Sequence, residues 1–203
     1  MGVSTTEPVT SKGRATRDRI LDTATALVFE HGVAGTTLDD VRAAAKVSKG
    51  QLYHYFADKD NLIHAVIDRT TQQVLDAQPQ LTNLSSWTAI ANWFDHLVRL
   101  QAERQAVGGC PIGSLAGELA ETDERARTRL AAGFDRWEAP LRRGLEQMRA
   151  EGKLRRTADP ARLATATLAA IQGGLVLTQT RRDPQQLRIA LDAAYAYLRS
   201  FAK

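Results

Sequence analysis

The sequence predicts an all-α fold: an N-terminal three-helix helix-turn-helix head followed by a longer helical body, about nine helices in all. Three observations predict it. Apolar residues recur at three- and four-residue spacing with no sustained two-residue alternation. Ala, Leu, Arg and Glu, all good helix formers, dominate the chain. Many Gly, Pro and capping residues fall at the ends of the periodic runs, as at Gly32, Thr37, Ser48, Gly108-Gly109, Asp159-Pro160 and Asp183-Pro184.

The first helix is expected from about Arg14 to His31, with Ile20, Ala24, Leu27 and Val28 at helical spacing and Gly32 as its stop. Thr37 then caps a short second helix that carries Leu38, Val41, Ala44 and Ala45 on one face. Asp39 and Asp40 lie in its first turn, where the helix dipole favours a carboxylate. After a tight turn at Lys46-Val47, Ser48-Lys49-Gly50-Gln51 has the spacing of a capping box and opens a third short helix to about Tyr55. Asp58 caps a fourth, from Lys59 to roughly Ala77, and Pro79 lies beyond its end.

In the body, Leu84 to Gln105 reads as one helix carrying Trp87, Ile90, Trp93, Phe94, Leu97 and Val98. Gly108-Gly109 breaks it, and Cys110-Pro111 starts the next, with proline suited to the first helical position. Asp123 to Gly152 is expected as a long helix kinked at Pro140, which lacks a backbone donor. Asp159-Pro160 and Asp183-Pro184 open the last two helices. These elements divide the chain into a flexible arm (1–12), a helix-turn-helix head (13–57) and a helical body (58–203).

Composition narrows the function. No apolar run approaches the ~20 residues of a membrane span, and residues 1–12 lack the apolar core of a secretory signal. The single Cys110 excludes an internal disulfide and fits a reducing compartment, so a cytoplasmic location is expected with no membrane partner. The net charge is +4, but residues 1–60 carry eight cations and eight carboxylates, so local placement has to decide for or against nucleic acid. His31, His54, His64 and His96 lie on different helices without ligand spacing, as surface or capping residues. No metal, cofactor or catalytic constellation is expected.

The segment from Thr37 to Tyr55 decides it. Two capped helices joined by a tight turn, with Leu38, Val41, Ala44, Ala45, Val47, Leu52 and Phe56 able to close a small core, form a helix-turn-helix in outline. The exposed side of its second helix is expected to present Lys49, Gly50, Gln51, Tyr53, His54 and Tyr55. That set combines a cation, a bare glycine for close approach, an amide able to read adenine bidentately, and hydroxyl or imidazole donors for phosphates.

The run Val47-Ser48-Lys49-Gly50-Gln51-Leu52-Tyr53-His54-Tyr55-Phe56, continuing through Asp58-Lys59 to Leu62, resembles the TetR family signature, as do Thr36-Thr37-Leu38 and Phe29-Glu30-His31-Gly32. The resemblance covers residues 14–66 without a gap. It implies that Lys49, Gly50 and Gln51 read bases, that Thr37, Ser48, Tyr53, His54 and Lys59 hold phosphates, and that Arg14 and Arg17 reach the backbone. It further implies a DNA-binding domain at 13–57, a ligand-binding and dimerisation domain at 58–203, a homodimer through the last two helices, a double-stranded operator and a small-molecule inducer.

For the inducer, the aromatic residues Trp93, Phe94, Phe134 and Trp137 are candidate pocket residues, each equally suited to a helical core. Gln172, beside Gly173-Gly174, joins them. The stretch from Gly108 to Leu119 is similar to a Gly-Cys-Pro-x-Gly pattern in the LmrA/YxaF-like subgroup of the same family. There Cys110 would cap a helix, whose dipole would lower its pKa. Three functions follow in order: a ligand-released repressor on a pseudo-palindromic operator, a thiol-based electrophile or redox sensor acting through Cys110, and, remotely, a helical enzyme.

Overall fold

The structure is a computed structural model that describes residues 10–203. The expected arm lies outside the described residues as far as residue 9. Its last part does not continue as an arm, because Thr10 accepts the Gly13 N–H and starts α1 (Ser11–His31), three residues ahead of Arg14. The described residues then form α2 (Leu38–Ala44), α3 (Lys49–Tyr55), α4 (Lys59–Asp76), a 3-10 turn (Pro79–Thr82), α5 (Trp87–Glu103), α6 (Pro111–Leu119), α7 (Glu124–Ala150), α8 (Pro160–Arg181) and α9 (Gln185–Arg199). The expected count of nine helices and the all-α class both hold. The only β pairing among the described residues is an isolated bridge between Leu154 and Ala202.

One helix start differs from expectation. The helix expected from Leu84 begins at Trp87, because Ser86 takes an extended conformation and accepts the Ala89 N–H as its cap. Pro140 sits inside α7, which remains one helix from Glu124 to Ala150. α8, with 22 residues, is long and apolar enough by length and composition to cross a membrane, although it packs on α9 and buries Leu163, Ile171, Gly174 and Leu175.

Contacts divide the chain into two units. One comprises the described residues up to Gln73 with Ser114–Gly133; the other comprises Val74–Gly113 with Phe134–Lys203. The first unit therefore takes most of α4 along with the helix-turn-helix. Ile20, Ala24, Val41, Leu52, Phe56, Leu62, Val66 and Ile67 are all buried there. Polar contacts tie the helices together. Arg69 pairs with Asp18 and Asp22 of α1, and Arg129 of α7 pairs with Asp68 of α4 at 2.6 Å. Glu118 of α6 accepts the Val33 N–H at 2.8 Å, just beyond the left-handed Gly32 that ends α1.

In the second unit, α8 and α9 pack so closely that a Cβ on Gly174 would stand 2.8 Å from Leu187 and 3.1 Å from Ala190. The Thr178 hydroxyl accepts the Leu187 N–H, satisfying a donor in the first turn of α9. Arg188 pairs with Asp95 at 2.7 Å, fixing α9 to α5. The centre of the unit is polar at one point. Buried Gln78 accepts the indole N–H of Trp93 at 2.9 Å and of Trp137 at 3.0 Å on the same oxygen, while its amide nitrogen donates to Val74. One side chain thus satisfies both buried donors.

Gln78→Leu should therefore destabilise the protein by about 2–5 kcal/mol, since two buried donors are left unpaired at ~1–3 kcal/mol each. Urea unfolding monitored by circular dichroism checks this. The caps of the first unit make stability depend on acid. Hydrogen bonds from Thr37 to Asp40, from Asn61 to Asp58, and from Ala126 and His64 to Asp123 hold these carboxyls below the ordinary aspartate value of 3.8. Their contribution is complete above that value and is lost as pH falls through the lower folded-state values. Asp58→Ala should lower the melting temperature at pH 7, and its gap to the wild type should close toward pH 2.5.

Candidate nucleic-acid interface and body site

Seven residues are too few to hold a helix on propensity alone, so α3 depends on its ends and its buried side. Ser48 Oγ accepts the Gln51 N–H at 3.1 Å, and Gln51 Oε1 accepts the Ser48 N–H at 2.9 Å, closing the expected capping box. α2 is built the same way by Thr37 and Asp40. Leu52, Tyr55 and Phe56 are buried below α3, and Arg19 of α1 donates to the Ala45 carbonyl at the end of α2. The turn between the helices places Lys46 at φ 54° and Val47 in the core.

This frame leaves Ser48, Lys49, Gly50, Gln51, Tyr53 and His54 exposed together. Lys49 Nζ lies 5.9 Å from the centre of the Tyr53 ring, within cation–π range. A Cβ on Gly50 would meet only Ser48 Oγ, at 4.0 Å, so no contact within the protein requires glycine there. Arg14 is exposed and Lys59 half-buried.

Two residues, Tyr55 and Ala44, depart from expectation. Tyr55, expected on the exposed side, is 9% exposed and stands edge-on to His54 at 4.8 Å. Its position one turn after Leu52 puts both on the inward side. Ala44, expected in the small core, is exposed, because Val41 and Ala45 already define the inward face of α2. Arg17 lies with its guanidinium 5.4 Å from the Phe56 ring centre, covering the edge of the core. The Thr37 hydroxyl donates to Asp40 at 2.6 Å, so it is engaged in its own cap.

The body candidates fall into two groupings. Trp93, Phe94 and Trp137 are buried, Phe134 is half-buried, and the Trp93 and Phe94 rings lie 5.3 Å apart. The other grouping is Cys110 with Gln172. Cys110 Sγ accepts the Gly113 N–H at 3.3 Å, the expected cap of α6. A Cβ on Gly113 would stand 2.9 Å from Gln172 Oε1, and one on Gly109 would collide with Gln179. The Gly-Cys-Pro-x-Gly run is thus shaped for close approach to α8, with Gly109 at φ 54°. The expectation of a lowered thiol pKa is overturned. Burial pushes the Cys110 thiol up, outweighing the Gly113 N–H and the Gln172 amide, which act in the opposite direction.

Three residues that matter here were missed from the sequence. Gln78 joins the two tryptophans, Glu118 holds Val33, and His64 Nε2 donates to Asp123 at 2.9 Å. His64 is buried and paired, not on the surface. Only Asp123, a carboxylate ahead of a helix, carried a sequence signal, and that signal was for its cap. Among the described residues no group of three His, Cys, Asp or Glu side chains could hold a metal ion.

Comparison with known proteins agrees with this architecture. The family model for bacterial regulatory proteins, tetR family, matches residues 20–66, and that for the Tetracyclin repressor-like, C-terminal domain, matches residues 87–194. The HTH-type transcriptional repressor DhaR of Mycobacterium sp. (strain GP1) is 25% identical over 174 residues, spanning 84% of this chain and 86% of its own. The HTH-type transcriptional regulator YxaF of Bacillus subtilis (strain 168) is 30% identical over 182 residues, spanning 88% of this chain and 92% of its own. The crystal structure of a TetR transcriptional regulator from Chloroflexus aurantiacus matches with a TM-score of 0.80 and 28% identity, covering 95% of this chain and 98% of the other. A helix-turn-helix built on two capping boxes, matched at both ends of the chain by the same family, leads to one assignment: the chain belongs to the TetR family of bacterial regulatory proteins.

Proposed function

We propose that this chain is a ligand-responsive transcriptional repressor of the cytoplasm, binding a pseudo-palindromic operator as a homodimer and released by a small apolar or aromatic ligand. The observation that carries the DNA-binding half is Gly50. Glycine inside a helix costs roughly 0.5–1 kcal/mol relative to alanine, and no contact of the fold requires it. Close approach of α3 to the edges of a major groove supplies the reason. Lys49 and Gln51 flank it as base readers. Ser48, Tyr53, His54 and Lys59, with Thr37, Arg14 and Arg17, serve phosphates from around it, and binding of this kind weakens steeply with salt.

The dimer reading rests on the outward sides of α8 and α9. Ala166, Ala169, Gly173, Val176 and Thr180 are exposed at alternating three- and four-residue steps, the spacing of a helix-packing seam. Val176 is 59% exposed and Ile189 of α9 is 63% exposed. A Cβ on Gly173 would meet nothing, in contrast to its neighbour Gly174. A second copy packed on this side would bury these residues, and a two-fold protein reads an inverted repeat.

In the body, Trp93, Phe94, Phe134 and Trp137 with Cys110 and Gln172 are the residues proposed to receive the ligand, and the Gly-Cys-Pro-x-Gly run supports grouping the chain with LmrA/YxaF-like members. The buried thiol with its raised pKa favours a packing or pocket role for Cys110 over thiolate sensing. Release requires the ligand to prefer the conformation that binds DNA poorly; equal affinity for both states would shift nothing.

Gly50→Ala tests the first half. It should leave stability equal or raise it by up to about 1 kcal/mol, while weakening operator binding roughly tenfold, the effect of a steric penalty near 1.4 kcal/mol. Thermal melts and fluorescence anisotropy with labelled duplex measure the two; unchanged affinity would remove the close-approach argument. For the second half, Val176→Asp combined with Ile189→Asp should convert a dimer to a monomer in sedimentation velocity and abolish tight operator binding. A wild-type chain that sediments as a monomer at micromolar concentration would overturn the dimer.

A further inference from the structure

The oxygen of the Gln51 amide is committed to the protein itself. It accepts the Ser48 N–H at 2.9 Å, as one side of the box that starts α3. The Gln51 Nε2 hydrogens are not part of that box, and the residue is exposed beside Gly50, where the backbone leaves open space. To read adenine, a glutamine must offer its oxygen to N6 and its nitrogen to N7 in one plane. On α3 that pose would require the oxygen either to leave the Ser48 N–H, loosening the start of a seven-residue helix, or to accept from N6 with its second lone pair while the cap fixes the orientation of the amide. Contact through the nitrogen alone requires neither.

We propose that Gln51 is a specificity-determining donor, reading a base through its Nε2 hydrogens only, and that the base is guanine. Guanine is the base whose major-groove edge presents two adjacent acceptors, N7 and O6, whereas thymine offers O4 beside a methyl group and adenine sets a donor next to its acceptor. Lys49, two residues earlier, also donates and cannot accept. The base-facing side of α3 thus carries donors at both positions flanking Gly50, matched to an acceptor-rich edge. The inference rests on the reading of α3 as the base-contacting helix.

The test is selection from a random duplex pool at physiological salt with the full-length protein, run in parallel for wild type, Gln51→Glu and Gln51→Ala. The Gln51→Glu variant keeps an oxygen for the Ser48 N–H, since Ser-x-x-Glu is itself a capping box, but has no amide hydrogens to donate. Its melting curve should match the wild type. Its added charge lowers affinity for all duplexes alike without reordering the other positions. Wild type should enrich an inverted repeat with a guanine in each half-site, and the preference for that guanine should fall about tenfold in both variants. Replacing that base by 7-deazaguanine should weaken wild-type binding and leave Gln51→Ala unaffected. A Gln51-dependent adenine would overturn the proposal, showing that the oxygen leaves the cap to read. Unchanged preferences in both variants would reduce Gln51 to a cap. Failure of the wild type to enrich any sequence would overturn the reading of α3, and this proposal with it.

Discussion

The head depends on satisfying the backbone donors at the start of two very short helices. α2 and α3 have seven residues each, so a large share of their N–H groups find no partner within the helix. Thr37 with Asp40 and Ser48 with Gln51 each supply two reciprocal bonds, and without them the cost of nucleating a helix would fall on a few buried side chains. The direction of every residue proposed to meet DNA follows from this. Lys49, Gly50, Gln51, Tyr53 and His54 share an outward side only because the helix begins at Ser48 and is pinned below by Leu52, Tyr55 and Phe56. Under the proposed function, helix capping and recognition therefore draw on the same few atoms, most tightly at Gln51.

The second unit solves a different problem, that of packing large aromatic residues without stranding their polar atoms. A single glutamine oxygen accepts two indole N–H groups, using both of its lone pairs. Close helix approach is arranged by glycine where backbone meets side chain, at Gly113 against Gln172, at Gly174 against Leu187, and at Gly144 against the Leu84 carbonyl. Adjacent glycines in α8 have opposite surroundings: Gly174 faces α9 inside the unit, while Gly173 faces open space on the side proposed for a second copy.

The parts of the fold that were legible in advance are those decided within four residues of chain. Caps at Thr37, Ser48, Asp58 and Asp159 follow from local hydrogen bonding, and the helix boundaries that depend on them fell within a few residues. Contacts decided by distant partners were not legible. Nothing near Gln78 in the chain announces Trp93 and Trp137, and nothing near Val33 announces Glu118, 85 residues away. Cys110 combines both cases. Its capping role was visible from Pro111, but its pKa is set by burial, which depends on the whole unit, and the direction expected from the helix dipole alone was reversed. Arg17 shows the same limit, since its ring partner Phe56 lies on another element.

The placement of the tryptophans has an optical consequence. All three, Trp87, Trp93 and Trp137, belong to the second unit, whereas the first contains tyrosine but no tryptophan. Trp93 and Trp137 are dry and hydrogen-bonded, and Trp87 lies under the Arg199 guanidinium at 4.8 Å. Indole emission therefore reports on one half of the molecule alone, while far-ultraviolet ellipticity reports on the helices of both. Loosening of the DNA-binding half ahead of the other would show as a loss of ellipticity at constant indole emission, so the native chain can separate the two events without an attached dye.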